Sequence, residues 1–191
     1  APYGYEHISP RDLTPEQELD QLKRGNAAIE RISGNSARGY RSPAWDLSEG
    51  SVQLLLDNGF IYDSSMMGHD YLPYPARTGD TVVAGKPVRF GPTTSLWELP
   101  VGWSVDDFPH FEYFRGGGLR PASGVLENWL DDFDYLRENL DWGVLTYTCH
   151  PFVIGRGHRM KMLERLIEAL LEKGARFVTA EEAVAQAQDR Q

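Results

Sequence analysis

A short apolar segment that ends in a histidine constrains the fold of this chain more than any other feature. Residues 144–147 have the apolar character of a buried strand, and His150 and Pro151 follow them before a pattern typical of a helix. Enzymes built from alternating strands and helices carry reactive side chains at the carboxyl ends of their strands. We therefore expect His150 to lie at such an edge, either as a catalytic group or as a histidine that makes a structural hydrogen bond at the end of the strand.

The same alternation of strand and helix patterns runs along the rest of the chain. Thr14 and Gln17 have the spacing of a capping box, and Pro15 suits the first position of a helix. Ser48 and Ser123 are each predicted to cap a further helix, and two more helices are predicted to start near His158 and Ala180. Strands are predicted at 38–42, 60–65, 96–101 and 176–179. This order favours a parallel sheet with helices outside it, either open or closed into a barrel.

Two details of this pattern can be checked against a structure. The first helix should bury one apolar face, formed by Leu19, Leu22, Ile29 and Ile32, and should end at Gly34. Residues 66–94 are rich in glycine, proline and aspartate, which predicts loops together with a hairpin that pairs 81–83 with 87–90. A long loop in a compact domain is usually functional or mobile.

Four polar residues stand where predicted strands end: Arg41, Asp63, Asp106 and His150. The carboxyl ends of parallel strands lie at one edge, so we expect these side chains to meet at one mouth of a barrel. Arg41 could instead form a structural ion pair with Asp63 or Asp106.

Composition excludes several classes of partner. The chain has 191 residues, and we expect a single domain over residues 1–191. The net charge of −9 and the lack of a basic stripe argue against nucleic acid and an anionic membrane surface. We see no apolar run long enough to span a bilayer and no signal-peptide pattern. Cys149 is the single cysteine and cannot form an internal disulfide, which predicts a reducing, cytoplasmic location. Its side chain should face the core.

Four segments carry motifs that occur together in one known enzyme family. They are residues 38–45, 58–68, 98–109 and 150–159, and they follow one another in the expected order over nearly the whole chain. Together they resemble the polysaccharide deacetylase family, also called the NodB homology domain or carbohydrate esterase family four. The resemblance is closest to the branch of allantoinase-like enzymes, cyclic-imide hydrolases and some peptidoglycan deacetylases, and the chain would be the C-terminal portion of that domain.

The resemblance implies a distorted (β/α) barrel of the NodB type that hydrolyses a non-peptide amide, such as a small cyclic amide or an N-acetylated sugar. It implies a divalent metal, commonly zinc, that polarises the carbonyl group and activates a water molecule. His150 stands where the family has its general acid, and Arg41 where it has the arginine that steadies its catalytic base. The other candidates would bind substrate or support these groups: Trp45, Asp63, Trp103 and Asp106.

The chain departs from the family pattern at the metal-binding segment. The aspartate-rich first motif is absent, and the second motif, normally His-x-x-x-His, reads Tyr3-Gly-Tyr-Glu-His7. His7 would be a metal ligand, whereas Tyr3 takes the place of the first histidine. Two explanations apply, alone or together: the chain is part of a longer domain whose first part is deleted, cleaved or supplied by another chain, or the metal site is degraded. A catalytically inactive relative or subunit that binds a similar ligand is therefore the alternative to an enzyme.

The missing motif also predicts association. His7 should end a strand that residues before Ala1 would supply, and the first helix starts soon afterwards at Thr14. Buried backbone groups left unpaired at an open edge cost about 1–3 kcal/mol each, and such an edge invites pairing with other chains. We expect an N-terminal partner polypeptide, or further copies of the chain in a homo-oligomer, to complete the barrel.

Overall fold

The computed structural model describes residues 2–112 and 119–190. The chain forms two compact units, each with a hydrophobic core of its own. Unit 1 comprises Ala1–Pro100 and Thr179–Gln191, and unit 2 comprises Val101–Val178. The expectation of a single domain stays a prediction. Within the described residues, no helix is both long enough and apolar enough to cross a membrane.

Unit 1 contains a four-stranded sheet with the strand order β1-β2-β4-β3. The strands are β1 (Gly39–Tyr40), β2 (Tyr62–Asp63), β3 (Tyr74–Arg77) and β4 (Thr93–Glu98). The predicted parallel sheet is confirmed for β1, β2 and β4, whereas β3 runs antiparallel to β4 at the edge. The strand predicted at 96–101 lies earlier in the structure and ends at Glu98, since Pro100 has no N–H to continue a ladder.

The prediction of loop over residues 66–94 is wrong for β3. Pro75 argues against a central strand, but β3 lies at the sheet edge, where proline is tolerated. The predicted hairpin is reduced to one antiparallel bridge between Thr81 and Arg89. This long connection therefore extends the sheet rather than forming only a loop.

The helices of the described residues are α1 (Pro15–Ser33), α2 (Ser51–Asp57), α3 (Asp107–Phe111), α4 (Ala122–Asn139), α5 (Pro151–Ile154), α6 (Gly157–Glu172) and α7 (Ala180–Gln188). The capping box of Thr14 and Gln17 is confirmed, because each side chain accepts a hydrogen bond from the other residue's backbone N–H. Gly34 ends α1 with a φ of 75°, as predicted. Ile32 is 83% exposed, so its predicted place in the apolar face is wrong; Leu22 is the residue of α1 in the buried core of unit 1.

Ser48 does not cap α2, contrary to the prediction, because the chain enters this helix at Gly50. The hydroxyl groups of Ser48 and Ser51 instead donate to the carboxylate of Glu18, at 2.7 and 2.5 Å. Glu18 is buried on α1 at 7% exposure. These bonds tie the start of α1 to the start of α2 and satisfy a charge that burial would otherwise destabilise.

In unit 2, α4 and α6 pack against each other around Trp129 and Leu166, which are almost fully buried. The prediction that Ser123 caps α4 is wrong. The helix starts at Ala122 directly after Pro121, so Ser123 already lies inside its first turn. The predicted helix near His158 is confirmed as α6, and Gly174 follows it in a left-handed conformation with a φ of 86°.

Two segments of the chain that the sequence predicts as strands lack regular pairing in the structure. Residues 144–147 have no regular secondary structure and are half-buried, and their neighbour Thr148 forms one parallel bridge with Asp106. Residues 176–179 form no strand, and Phe177 is 59% exposed. A strand needs a neighbouring ladder to satisfy its backbone groups, and the described residues supply no such ladder to either segment.

Candidate functional site

His150 is held by Asp107 in unit 2. His150 directly precedes α5, and its carbonyl oxygen accepts hydrogen bonds from the backbone N–H groups of Val153 and Ile154. Its Nδ1 lies 2.7 Å from Oδ1 of Asp107, and its backbone N–H donates to Oδ2 of the same carboxylate at 2.9 Å. Asp107 is fully buried, whereas the side chain of His150 is 23% exposed to solvent. The carboxylate therefore fixes both the backbone and the ring of this histidine.

The second ring nitrogen of His150 remains available for chemistry. Among the described residues, Nε2 has no hydrogen-bond partner. The rings of Phe108 and Phe152 lie 5.7 and 5.6 Å from the imidazole, measured between ring centroids. A buried carboxylate at Nδ1 stabilises an imidazolium and fixes its orientation, so this arrangement can hold a proton at Nε2 and release it.

Asp106 lies farther from His150 than Asp107 does. Its Oδ1 accepts a hydrogen bond from the backbone N–H of Phe108 at 2.7 Å, which caps α3, and lies 3.8 Å from Nδ1 of His150. Asp106 and Asp107 are consecutive, so the residue at which α3 starts determines which of the two carboxylates reaches the imidazole of His150. The sequence prediction names Asp106 and misses Asp107, for which the adjacent acidic pair is the available signal. The predicted substrate contact of Asp106 stays a prediction.

The ligand atoms of Asp106, Asp107 and His150 could together hold a metal ion. One atom from each residue lies within 4.8 Å of the others. Carboxylate oxygen and imidazole nitrogen are ligands that zinc accepts. However, both oxygens of Asp107 already accept hydrogen bonds from His150, and Nδ1 of His150 is one of the two donors. A metal at this group would have to replace those bonds, so the present geometry fits the orientation of the imidazole better than metal binding.

Cys149 does not have the environment of a nucleophile. It is half-buried and packs against the core of unit 2. Burial raises the pKa of its thiol to about 12, and the charges of Asp107 and Asp106 act in the same direction. Since the thiolate is the reactive form, this cysteine is inert near neutral pH. The prediction that Cys149 is a core residue is confirmed.

Arg41 follows β1 in unit 1 and binds the turn after β2. Its Nε donates to the carbonyl oxygen of Ser64 at 3.0 Å, and its Nη2 donates to the hydroxyl oxygen of Ser64 at 2.8 Å. That hydroxyl group donates in turn to the carbonyl oxygen of Leu99, just after β4. The guanidinium is thus fixed across the carboxyl ends of three parallel strands. Its catalytic role stays a prediction.

The backbone after Arg41 is strained. Ala44 and Trp45, in the short 3-10 turn Pro43–Trp45, have φ values of 53° and 58°, in the left-handed region that residues other than glycine rarely adopt. Such strain persists where the surrounding structure fixes it, and it is frequent at functional sites. Trp45 is buried in unit 1, whereas Trp103 of unit 2 is 46% exposed. The predicted substrate contacts of both tryptophans stay predictions.

Asp63 and Glu98 form a buried carboxyl pair in unit 1. They are register partners on the parallel strands β2 and β4, and both are 0% exposed. Burial raises the pKa of Asp63 to about 6. Burial and the charge of Asp63 raise the pKa of Glu98 well above its usual range. The sequence prediction names Asp63 and misses Glu98. The burial of Asp63 fits a supporting role, and its predicted substrate contact is not tested.

His7 lies in an exposed segment of unit 1, where its φ of 56° is unusual for histidine. The ring of Tyr3 lies 4.9 Å from the ring of His7 between centroids. In the described parts of the chain, no group of three potential ligand residues includes His7. Its role as a metal ligand stays a prediction, as does the convergence of the four strand-end residues on one mouth.

Comparison with known proteins gives this geometry a family context. No protein-family model matches the chain. It is 32% identical over 195 residues to a peptidoglycan deacetylase from Helicobacter pylori, in an alignment that covers 94% of the chain and 67% of the relative. The chain belongs to the polysaccharide deacetylase family. A peptidoglycan deacetylase-like protein from Gibberella zeae is 26% identical over 96% of the chain and 61% of its own length, so the chain spans about two thirds of these relatives.

Solved structures agree with membership of the polysaccharide deacetylase family. A protein from Mycobacterium smegmatis assigned as a polysaccharide deacetylase is 28% identical, with a TM-score of 0.77 over 96% of this chain and 60% of that one. An allantoinase at 21% identity, with a TM-score of 0.75 over 97% of this chain and 57% of its own, shows the fold alone. The predicted α/β fold of the NodB type is confirmed. The family is one of hydrolases that act on carbon–nitrogen bonds other than peptide bonds.

Proposed function

We propose that this member of the polysaccharide deacetylase family hydrolyses a non-peptide amide, with His150 as its general acid. The substrate would be an N-acetylated sugar or a small cyclic amide. The contact that carries the proposal is the 2.7 Å approach of His150 Nδ1 to Oδ1 of Asp107. It supports this role because it leaves Nε2, in a partly exposed position, as the group that can exchange a proton with a bound molecule.

In the proposed reaction, water adds to the amide carbonyl carbon and the carbon–nitrogen bond then breaks. His150 donates the proton at Nε2 to the departing nitrogen, so that the products are an amine and a carboxylic acid. Asp107 stabilises the imidazolium before this transfer and keeps the ring from rotating. Phe108 and Phe152 flank the imidazole, whose side chain remains 23% exposed.

Arg41 is proposed to orient the catalytic base of this family. Its guanidinium is already held by two hydrogen bonds to Ser64, so it is positioned before any substrate binds. A preorganised cation loses little rotamer freedom when it meets a carboxylate, and it makes a directional contact with that group. Trp45 is proposed to line the substrate pocket. Its strained backbone supports that role.

The family implies a divalent metal, which we propose to be zinc. Such an ion, when bound, would polarise the substrate carbonyl group and lower the pKa of its water ligand. His7 is the ligand proposed from the family motif, and Tyr3 packs on it where the family has another histidine. The roles proposed for His150, Asp107 and Arg41 rest on their own hydrogen bonds.

The alternative function is that of a catalytically inactive relative or subunit, which binds a similar ligand and needs a partner chain to complete the barrel. Tyr3 favours this alternative, because a phenol in place of the first histidine weakens a metal site. Nucleic acid and a membrane surface are not proposed as partners, given the net charge of −9. A cytoplasmic location remains part of the proposal.

Three assays test the proposal: acetate release from N-acetylated chitooligosaccharides, acetate release from peptidoglycan, and the hydrolysis of allantoin. His150→Ala should lower turnover by roughly 100- to 10,000-fold, the usual contribution of a general acid. His158→Ala is the matched control, because His158 is an exposed histidine of the same unit, and its turnover should be unchanged. Equal activity of the two variants would remove His150 from the reaction. No activity in the wild type on any of these substrates would favour the inactive relative.

A further inference from the structure

The buried carboxyl pair of Asp63 and Glu98 contains two oxygens that the hydrogen bonds described so far do not satisfy. Oδ2 of Asp63 and Oε2 of Glu98 are shielded from solvent, and neither has a hydrogen-bond partner in the described part of the chain. The other oxygen of each carboxyl group is well satisfied, by Ser65 Oγ at 2.8 Å for Asp63 and by the backbone N–H groups of Ser65 and Met66 at 2.7 Å for Glu98. Two buried carboxylates side by side would repel each other strongly.

We propose that Asp63 and Glu98 share one proton between their two unsatisfied oxygens, and that this pair fixes the turn on which Arg41 is held. The residues are register partners on adjacent parallel strands, so their side chains leave the sheet on the same face. One proton between them turns two unsatisfied acceptors into a donor and an acceptor, and it removes one of the two buried charges.

The surroundings assign the proton to Glu98. Burial raises the pKa values of both groups, to about 6 for Asp63 and well above the usual range for Glu98, and the charge of Asp63 adds to the rise at Glu98. The positive charge of Arg41 and the hydroxyl group of Ser65 also favour the ionised form of Asp63. Glu98 is therefore the neutral donor, and Asp63 is the charged acceptor.

This pair organises the serine turn, which we define as Ser64 and Ser65. Glu98 holds the turn by the backbone N–H of Ser65, and Asp63 holds it by the side chain of Ser65. The hydroxyl oxygen of Ser65 also accepts the backbone N–H of Ser42 at 2.9 Å, which anchors the residue next to Arg41. Ser64 then receives both hydrogen bonds of the guanidinium. Asp63 and Glu98 are thus positioning residues for Arg41, and the catalytic part of this inference rests on the proposed function.

The other titratable or charged groups that face the pair are Arg41 and Tyr40 from the β1 segment and Tyr74 from β3. Burial raises the pKa values of Tyr40 and Tyr74 to about 12, so Arg41 is the charged group among them near neutral pH. Because the folded state raises the pKa values of both carboxyl groups, their contribution to stability is complete at acidic pH. It is lost as the pH rises from the unfolded pKa values, which are about 4, through the folded values, of which that of Asp63 is about 6.

Infrared spectroscopy of the purified protein, with glutamate labelled with carbon-13, tests the shared proton without any substrate. The wild type should show the carbonyl band of a protonated glutamate near neutral pH, and Glu98→Gln should lose it. Glu30→Gln, which alters an exposed glutamate of α1, should keep the band. If the wild type shows no protonated glutamate band at neutral pH, or if Glu98→Gln retains it, the proposal is overturned.

Variants separate the shared proton from a merely structural role of these residues. The side-chain amide that Glu98→Gln introduces can donate to Asp63 and accept from Ser65 and Met66. This variant should therefore fold, and it should lose stability less steeply than the wild type as the pH rises above about 6. Asp63→Asn is the second variant, with the same expectation, should Glu98→Gln fail to fold. If the stability of a folded variant depends on pH as that of the wild type does, the shared proton is contradicted. Failure of both variants to fold would also contradict it.

The pH profile of turnover tests the positioning of Arg41. Acetate release from N-acetylated chitooligosaccharide should fall on the alkaline side in the wild type. In Glu98→Gln the pair has no proton to lose, and only that of the general acid remains, so the fall should be less steep than in the wild type, about tenfold per pH unit. An unchanged alkaline limb in the variant would overturn the positioning role. Absence of activity in both proteins, with the infrared band present, would reject the proposed function and leave the shared proton supported.

Discussion

Asp107, and not Asp106, holds the imidazole of His150. Oδ1 of Asp107 lies 2.7 Å from Nδ1 of the histidine, whereas Oδ1 of Asp106 lies 3.8 Å from it and caps α3. Asp107 also binds the backbone N–H of His150, so one buried carboxylate sets two positions of the same residue. The two aspartates therefore have different roles, which substitutions can separate.

Replacement of Asp107 by Asn should lower turnover on the order of 100-fold, because the amide cannot stabilise an imidazolium and favours the wrong tautomer of His150. Asp106→Asn should have a much smaller effect on turnover, since an Asn side chain can still cap α3. Steady-state rates of acetate release, with folding checked by circular dichroism, compare the two variants. Equal losses of turnover would show that Asp107 is not the residue that orients the acid.

Arg159 should be a major source of stability in unit 2. It is buried at 6% exposure, and it donates to the carbonyl oxygens of Val153 and Phe111 and to the carboxylate of Glu112. Arg159→Ala leaves two buried carbonyl oxygens without their donor, and we expect the free energy of unfolding to fall by about 2–5 kcal/mol, since each unpaired buried acceptor costs about 1–3 kcal/mol.

Urea unfolding measures this loss of stability. The control is Arg165→Ala, which removes an exposed arginine of the same helix and should change the free energy of unfolding by less than about 0.5 kcal/mol. A similar small change in both variants would mean that the buried contacts of Arg159 contribute little.

The strained turn after Arg41 gives a prediction about the backbone. Ala44 has a φ of 53°, a conformation that costs a residue with a Cβ about 1–2 kcal/mol and costs glycine almost nothing. Ala44→Gly should therefore leave the free energy of unfolding unchanged or raise it by up to about 1 kcal/mol. Ala27→Gly, at an exposed position in α1, should lower it by about 0.5–1 kcal/mol. Thermal and urea unfolding of both variants give the comparison, and destabilisation of similar size in both would contradict the left-handed conformation.

Cys149 should be unreactive in the folded protein. Its pKa of about 12 leaves almost no thiolate at about pH 8, so a thiol reagent should modify it slowly. Absorbance with an aromatic disulfide reagent should show slow labelling of the native protein and rapid labelling after unfolding in urea. Rapid labelling of the native protein would mean that the thiol is accessible and ionised.

The sequence predicts local features of the fold well because neighbouring residues determine them. The capping box of Thr14 and Gln17 and the left-handed Gly34 depend on a few positions of spacing and on backbone sterics. These features need no knowledge of distant contacts.

The sequence does not predict features that depend on distant pairing. β3 becomes a strand only because β4 lies beside it, and the approach of Glu98 to Asp63 depends on the parallel register of β2 and β4. The choice of Asp107 over Asp106 depends on where the chain turns into α3, and a shift of one residue would reverse it. Residues 144–147 show the opposite error, since an apolar segment without a neighbouring ladder does not become a regular strand.

A double-mutant comparison of His150 and Asp107 tests the central claim most directly. If Asp107 acts only through the imidazole, the turnover of His150→Ala with Asp107→Asn should equal that of His150→Ala alone, because the second change has no partner left to affect. Acetate release from N-acetylated chitooligosaccharide is measured for the wild type, both single variants and the double variant. If the fold-loss of turnover in the double variant equals the product of the two single fold-losses, the residues act independently. That result would contradict the account.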